Sequence, residues 1–191
     1  MTDARASMIQ VYVELRAEDP EAVSALGVAR ERLAAGRRLR TLRRGRVFEI
    51  TGALPEPAEL DGLLHRSTQF YNPAKERCTL RVEPAAPAPF AADEALVLVS
   101  DRGFERLAAA ERWWRHETGA KVEVRAGTVW ALSFEPGEDA AACSASLAAA
   151  TDRAHGLLSN PHFQDWRAGT GASPPWPWLG RTRRTRKERT P

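Results

Sequence analysis

Apolar and polar residues alternate at the start of the chain, along residues 9–15. This period-two pattern is typical of a strand with one face on a core. Asp19-Pro20 comes next and offers an N-cap followed by a proline at the first helical position. Apolar residues at helical spacing then lead to a stop at Gly36, namely Ala22, Leu26, Ala29 and Leu33. The first two elements are therefore predicted to be a strand and an amphipathic helix.

A second extended stretch follows and has a glycine at its centre. Residues 39–51 have strand character, and Gly45 within them predicts a hairpin or a sharp bend between two strands. A short helix near residues 58–66, a loop at Asn72-Pro73 and a last strand around residues 77–82 complete the order. The first half is thus predicted to be a βαββαβ unit.

The second half repeats this order. A strand at residues 95–100 precedes a helix that Ser100 or Asp101 can cap and that ends near Gly119. Residues 121–134 are the second long extended stretch. Together these patterns predict a second unit of the same kind.

An alanine-rich segment completes the second unit. It predicts a longer helix over residues 139–158, which Asn160-Pro161 ends. The predicted organisation is a first unit at 1–83, a Pro/Ala linker at 84–94, a second, divergent unit at 95–168 and a disordered Pro/Trp- and Arg-rich tail at 169–191.

Short motifs recur between the halves. Arg43-Arg44-Gly45-Arg46 is echoed by Arg125-Ala126-Gly127-Thr128, and Asn72-Pro73 is echoed by Asn160-Pro161. A constant internal spacing is the sequence signature of repeated modules. The fold expected is α+β, with two tandem ferredoxin-like units packed as an intramolecular pseudo-dimer.

The motifs also carry a resemblance to a known family. The first half resembles the small subunit of phosphoribosylformylglycinamidine synthase, the PurS family, in which an Asp-Pro helix start precedes Arg-x-Gly-Lys-x-x-Glu-Leu and then Leu-Leu-x-Asn-Pro. The matching residues are Asp19-Pro20, Arg43, Gly45, Arg46, Glu49, Ile50, Leu63-Leu64 and Asn72-Pro73. An insertion, His65 to Tyr71, separates the last two pairs.

The second half resembles the same family less closely. It keeps Arg125, Gly127 and the run from Leu157 to Pro161, but it has Thr128 and Ala131 where the family has a basic residue and a glutamate. The resemblance therefore implies a degenerate second copy. If the basic and acidic positions contact a partner, only the first half keeps that contact.

The resemblance implies an accessory subunit of purine biosynthesis that has no catalytic residues of its own. Such a subunit bridges a glutaminase subunit and a synthase subunit, and ATP, magnesium and glutamine belong to those partners. The chain binds no cofactor or metal in this interpretation, and it can form a homo-oligomer. The residues implied in partner binding are Arg43, Gly45, Arg46, Glu49, Asn72, Pro73, Arg125, Gly127, Asn160 and Pro161.

The Arg-rich segment, residues 37–46, leaves two interpretations open. It contains six arginines and no acid. Such a run can be a solvated strand edge protected against aggregation, or a docking surface for an acidic partner or a phosphate. The alternative function is accordingly a duplicated ferredoxin-like binding module that holds nucleic acid or another acidic assembly.

Charge is concentrated in the C-terminal tail. The net charge is +3, yet residues 181–191 hold six of the 28 basic residues and one of the 25 acidic ones, so the rest of the chain carries −2. Nucleic-acid binding would therefore depend on the tail or on a local cluster. The tail residues expected to make contacts are Trp176, Trp178, Arg183, Arg184 and Arg186.

Residues with reactive side chains are scattered. The four histidines lack metal-ligand spacing, and the two cysteines, Cys78 and Cys143, form no Cys-x-x-Cys pair. No apolar run reaches the length of a membrane span, and the first residues lack the apolar region of a secretory signal. We expect a cytoplasmic protein that is not an enzyme on its own.

Overall fold

The structure is a computed structural model that describes residues 7–83, 85–103, 106–148, 151–152 and 155–175. Within these residues the fold is mixed α+β, with one six-stranded antiparallel sheet and four α-helices. The elements are β1 (Ser7–Leu15), α1 (Pro20–Arg32), a 3₁₀ turn (Ala35–Arg38), β2 (Leu39–Gly52), α2 (Pro57–His65), β3 (Glu76–Arg81), β4 (Ala95–Asp101), α3 (Ala108–Thr118), β5 (Val122–Phe134), α4 (Ala140–Ala148) and β6 (Gln164–Thr170). No described helix combines the length and apolar content that crossing a membrane requires.

The strand order in the sheet is β3-β1-β2-β5-β4-β6. The four helices pack on one face, which we call the helical face. Val124 contacts α2 and α3 there, whereas Trp130 and Leu132 pack with α1 and α4. These β5 residues are an even number of positions apart and so share a face. The large side chains of Trp114 in α3 and Trp130 in β5 are buried on this face.

The two longest strands, β2 and β5, lie side by side at the centre of the sheet. The hairpin predicted at Gly45 is wrong, because β2 pairs with β5 along its whole length and does not turn. Each half therefore contributes three strands, where the βαββαβ expectation had four.

The two repeated glycines make room for neighbouring backbone. A Cβ atom at Gly45 would stand 3.0 Å from the Val13 carbonyl oxygen, and one at Gly127 would stand 3.0 Å from the Val99 carbonyl oxygen. Contacts that short are rare for real Cβ atoms. The repeated glycine thus has a packing reason that is the same in both halves.

Helix α1 begins as the sequence predicts. The Asp19 carboxylate accepts a hydrogen bond from the Glu21 amide at 2.9 Å, and Pro20 is the first helical residue. Ala22 and Ala29 are buried on the predicted apolar face. These contacts confirm the Asp-Pro helix start.

Helix α3 agrees with its prediction only at its end. It ends at Gly119, which has a left-handed φ of 72°, as glycine favours. It begins at Ala108, so the predicted caps at Ser100 and Asp101 are wrong. Asp101 is instead the last residue of β4, and Phe104 lies outside the described residues.

Helix α4 is shorter than the predicted 139–158. It ends at Ala148, and the returning chain binds its last carbonyls. The Gly156 amide donates to the Ser146 oxygen at 2.9 Å, and the Ser159 hydroxyl donates to the Ala148 oxygen at 2.6 Å. Gly156 has φ 82°, a reversal that L side chains resist. The chain that returns at Gly156 thus satisfies carbonyls in the last turn of α4.

The sheet's other face, which we call the open face, is crossed by the linker. Ala88 and Phe90 pack there on Leu96, Leu98 and Ala131. The chain after β6 packs on the linker as well, since the Gly171 amide donates to the Glu94 oxygen at 3.0 Å. Residues 169–175, predicted to be disordered, thus complete β6 and a turn. The four predicted domain boundaries stay a prediction.

Candidate interaction site on strand β2

Strand β2 carries four of the ten residues that the sequence selects for partner binding. Even-numbered residues from Arg44 onward face the helices and odd-numbered ones face the open side, because side chains alternate along a strand. Arg43 and Glu49 therefore lie on the open face, while Arg44 and Arg46 lie on the helical face.

The register of β2 against β5 brings the two repeated motifs together. Arg46 lies opposite Thr128, and these two residues occupy the same place in the two motifs. Glu49 lies opposite Arg125, whereas Arg43 lies opposite Ala131. On one side of the Arg46–Thr128 pair, an arginine therefore lies opposite a glutamate. On the other side, Arg43 has no acid opposite it in β5.

Arg43 is paired within the molecule despite the missing glutamate at Ala131. Its guanidinium donates to Glu14 at 2.8 Å and to both carboxylate oxygens of the linker residue Glu94 at 2.9 Å. It also lies 5.8 Å from the ring centroid of Phe90, within the range of cation–π attraction. Arg43 thus ties the linker to the sheet.

Glu49 is a buried carboxylate on the open face. It is 5% exposed. Burial raises its pKa, the positive charges of Arg125 and Arg167 oppose that rise, and Glu123 adds to it. Arg125 itself donates to Glu123 at 2.8 Å. Neither Glu49 nor Arg43 is therefore freely presented to a partner.

The two arginines on the helical face are also paired. Arg44 contacts Asp19, with Nε donating at 2.8 Å, and contacts Glu21. Arg46 donates to Glu76 at 2.8 Å. Hydrogen bonds from Arg44 and from the Glu21 amide outweigh the effect of burial and lower the pKa of Asp19.

Two members of the Arg-rich segment have free side chains. Arg38 pairs with Glu135 at 2.9 Å, but Arg37 and Arg40 are exposed, and the described part of the chain offers neither of them an acidic partner. Four of the six arginines are thus engaged within the fold. The segment is mostly an internal ion-pair system rather than a continuous phosphate-binding patch.

A cleft of about 500 Å³ opens beside the first half of β2. It lies between β2 and the segment that joins β1 to α1. Its floor is apolar, with Leu15, Ala22, Val23, Leu26 and Leu42, and its charged lining includes Arg16, Arg40, Arg77 and Glu18. This cleft combines apolar residues with charged side chains that have no ion pair among the described residues.

The two Asn-Pro motifs form the same turn. The Asn72 side chain accepts from the Ala74 amide at 3.1 Å, and the Asn160 side chain accepts from the His162 amide at 3.0 Å. Each turn leads into an outer strand, and an arginine braces it: Arg16 donates to the Pro73 oxygen at 3.2 Å, as Arg102 does to the Pro161 oxygen at 3.4 Å. Their observed role is local chain reversal.

Two groups with potential for catalysis, His65 and Cys78, make no hydrogen bond to each other within the described residues. His65 lies 3.1 Å from the Tyr71 hydroxyl, and burial, with Asp61 and Glu76, raises the pKa of Cys78 to about 12. A thiol with so high a pKa is a poor nucleophile at neutral pH. Residues 7–83, 85–103, 106–148, 151–152 and 155–175 contain no cluster of metal-binding side chains.

A buried polar cluster of Gln10, Tyr12 and Arg81 lies under the linker, and the sequence did not predict it. Gln10 accepts from Arg81 and from the Tyr12 hydroxyl, both at 2.9 Å, and Arg81 also donates to the linker carbonyl of Ala86 at 2.7 Å. Burial raises the pKa of Tyr12 to about 12 against the lowering effect of Arg81. Only the polar positions in the alternation of β1 hinted at this group.

The tail contacts proposed from the sequence, at Trp176, Trp178, Arg183, Arg184 and Arg186, lie outside the described residues. Comparison with known proteins gives no match for this chain among protein-family models, curated proteins or solved structures.

Proposed function

We propose that the chain is a non-catalytic bridging subunit, or a divergent paralogue of one, in the glutamine-dependent phosphoribosylformylglycinamidine synthase complex of purine biosynthesis. It acts in the cytoplasm and contacts the glutaminase and synthase subunits, which supply the ATP, magnesium and glutamine chemistry. Residues 7–81 and 95–170 are two copies of one ferredoxin-like unit in which a single long strand replaces the predicted central strand pair, and they are joined as an intramolecular pseudo-dimer.

The single observation that carries this proposal is the β2–β5 register. Residues matched between the halves by motif alone, Arg46 and Thr128, are direct partners at the centre of the sheet. When a two-fold axis relates two copies that pair through antiparallel strands, a position at the axis pairs with the same position of the other copy. The register supports a fused dimer, and the resemblance of the first copy supplies the proposed pathway.

The proposal is tested by recovering partners from the native cells. The tagged chain is purified at low salt with ATP and glutamine, and co-purifying proteins are identified by mass spectrometry. We expect the glutaminase and synthase subunits, and we expect deletion of the gene to cause a requirement for added purine. Recovery of unrelated proteins together with growth that is independent of purine would contradict the proposal.

The variants for this test follow from the pairing of the arginines. Arg46→Ala removes a half-exposed cation at the central position and is expected to reduce partner recovery. Arg106→Ala is the matched control, since Arg106 is also exposed and paired with one acid, Glu111. Equal loss with both variants would indicate a general effect of charge.

The nucleic-acid alternative makes a different prediction. The pairing of Arg38, Arg43, Arg44 and Arg46 with acids leaves few cations for phosphates. Binding that falls steeply with salt and disappears on removal of residues 181–191 would favour that alternative.

A further inference from the structure

The cleft beside β2 exposes the edge of a strand. Strand β1 pairs with β2 only from Arg46 to Gly52, whereas β5 pairs with it from Leu39 onward. Among the described residues, the outer edge of β2 at residues 41–44 therefore has no strand paired with it. The carbonyls before it, of Leu39 and Arg40, accept from the Arg30 side chain of α1 at 2.9 and 2.7 Å. This edge borders the cleft.

The backbone groups of Leu42 point into the cleft. Val124 in β5 directs its amide to Glu111 at 3.1 Å and its carbonyl to the Leu107 amide at 2.9 Å, so both groups point away from its partner Ile50. Hydrogen-bonded and non-hydrogen-bonded pairs alternate along an antiparallel ladder. Leu42 lies an even number of residues from Ile50, so its amide and carbonyl also point away from β5.

The second half caps this position of the strand with a glutamate, and the first half has no glutamate there. Leu42 and Val124 occupy the same position relative to Gly45 and Gly127. Counted from the helix starts, Val23 of α1 stands where α3 has Glu111, the acceptor for the Val124 amide. Val23 has no carboxylate and is 46% exposed. The Leu42 amide therefore lacks the cap that its counterpart has.

The charges at the cleft select the class of partner. Arg40 and Arg77 are exposed and have no acidic partner within the described residues, and the Arg16 guanidinium donates to the Pro73 carbonyl. Arg43 and Arg44 are neutralised by Glu14 and Asp19. Glu18 is the one other acid in the lining. Three available cations against one acid favour a negatively charged segment.

We propose that this cleft binds an extended acidic peptide segment of a partner protein, which adds a strand beside Leu42 of β2. Backbone hydrogen bonds to Leu42 supply affinity, and alternate side chains contact the apolar floor and the arginines. The inference rests on the proposed function for the source of the segment, a subunit of the bridged complex. The site itself depends only on the geometry of β2 and α1.

The test uses the purified full chain and a fluorescent peptide of alternating glutamate and valine, about eight residues long, with anisotropy as the readout. We expect saturable binding, and no binding of the same peptide with N-methylated backbone amides. Arg40→Ala combined with Arg77→Ala should weaken binding at least about tenfold. Arg37→Ala, an unpaired arginine outside the cleft, should leave it unchanged.

A second variant tests the strand edge itself. Val23→Glu supplies the carboxylate that Glu111 provides in the second half, and we expect it to abolish peptide binding while circular dichroism stays unchanged. Lack of binding to the parent chain, equal binding of the N-methylated peptide, or equal weakening by Arg37→Ala would overturn the proposal. Peptide binding without recovery of purine subunits from cells would overturn the proposed function and leave the cleft assignment intact.

Discussion

At the scale of single residues, Glu49 shows how the two copies of the motif differ. It is buried opposite Arg125, while Arg43 faces Ala131 and uses Glu94 of the linker. A glutamate at residue 131 would compete with the linker for Arg43. Because residue 131 is an alanine, where the first motif has Glu49, Arg43 can bind the linker on the open face.

The raised pKa of Glu49 makes a stability prediction. A carboxyl whose folded pKa exceeds 4.5 binds its proton more tightly in the folded state, so its contribution to the free energy of unfolding falls as pH rises through the folded pKa. Glu49→Gln is expected to raise the melting temperature at about pH 7. The difference from the parent protein should shrink toward pH 4.5.

Thermal unfolding followed across this pH range checks the expectation. Glu31→Gln, which changes an exposed acid on α1 away from Glu49, is the control and should show little change. A Glu49→Gln protein that is less stable than the parent at neutral pH would show that Arg125 and Arg167 stabilise the charge more than burial opposes it.

The repeated glycines make a second prediction at this scale. Gly127→Ala places a methyl group against the Val99 carbonyl oxygen and the Leu98 side chain, the latter at 2.9 Å. Overpacking of this kind costs about 1–3 kcal/mol. Gly62→Ala, where the new atom meets nothing within 4 Å, is the control in urea unfolding. Equal stability of both variants would show that β4 can shift to accept the methyl group without loss of unfolding free energy.

At the scale of elements, the start of α1 is coupled to β2 by Asp19. The same carboxylate caps the helix at Glu21 and binds Arg44. The other capping aspartate, Asp139, accepts from the Ala141 and Ala142 amides of α4, and it has no ion pair within the part of the chain that the structure describes. One cap thus joins two elements and the other serves one.

This difference predicts unequal costs for the two caps. Removing an N-cap carboxylate costs about 0.5–2 kcal/mol, and Asp19→Ala also leaves Arg44 without one of its two acids. Asp19→Ala is therefore expected to lower the free energy of unfolding more than Asp139→Ala. Because the pKa of Asp19 is lowered, the difference between the two variants in free energy of unfolding should disappear as pH falls through that pKa. Equal losses of stability in the two variants at neutral pH would show that Asp19 does not couple α1 to β2.

The sequence was informative for elements whose pattern is local. The alternation of β1, the Asp-Pro start of α1 and the glycine end of α3 each depend on a few neighbouring residues. The continuous β2 was missed because Gly45 looks the same in a hairpin as in a strand that makes room for Val13. Likewise, the chain that returns at Gly156 bonds to the last turn of α4, and helical periodicity cannot predict those contacts.

The candidate site was predicted in part for the same reason. The Arg-rich segment was visible as composition, but its pairing with Glu14, Asp19, Glu76 and Glu94 joins residues far apart in the chain. The cleft depends on the divergence of β1 from β2 after Val13. Strand register decides both features, and a single sequence specifies register only weakly.

At the scale of the whole molecule, the central β2–β5 pairing predicts how the halves behave apart. Fragments 1–83 and 85–191 would each leave one long strand exposed along its full length. Exposed edges of this kind recruit other strands. Each fragment alone is expected to self-associate, and the mixture is expected to form a one-to-one complex.

Size-exclusion chromatography with light scattering distinguishes these states. Recovery of the circular dichroism of the intact chain on mixing would support the pairing at the centre. If both fragments are folded monomers that form no complex when mixed, each half would be stable without the β2–β5 pairing.

The linker that crosses the open face has a consequence for larger assemblies. Phe90 packs edge-on against Tyr12 with ring centroids 5.5 Å apart, and a second sheet packing face to face would need this space, since stacked sheets lie about 10 Å apart. The chain therefore blocks face-to-face growth by its own connection. A second copy or a partner sheet would have to use the outer strands β3 and β6 or the helices, so the linker would limit the geometry of any larger assembly.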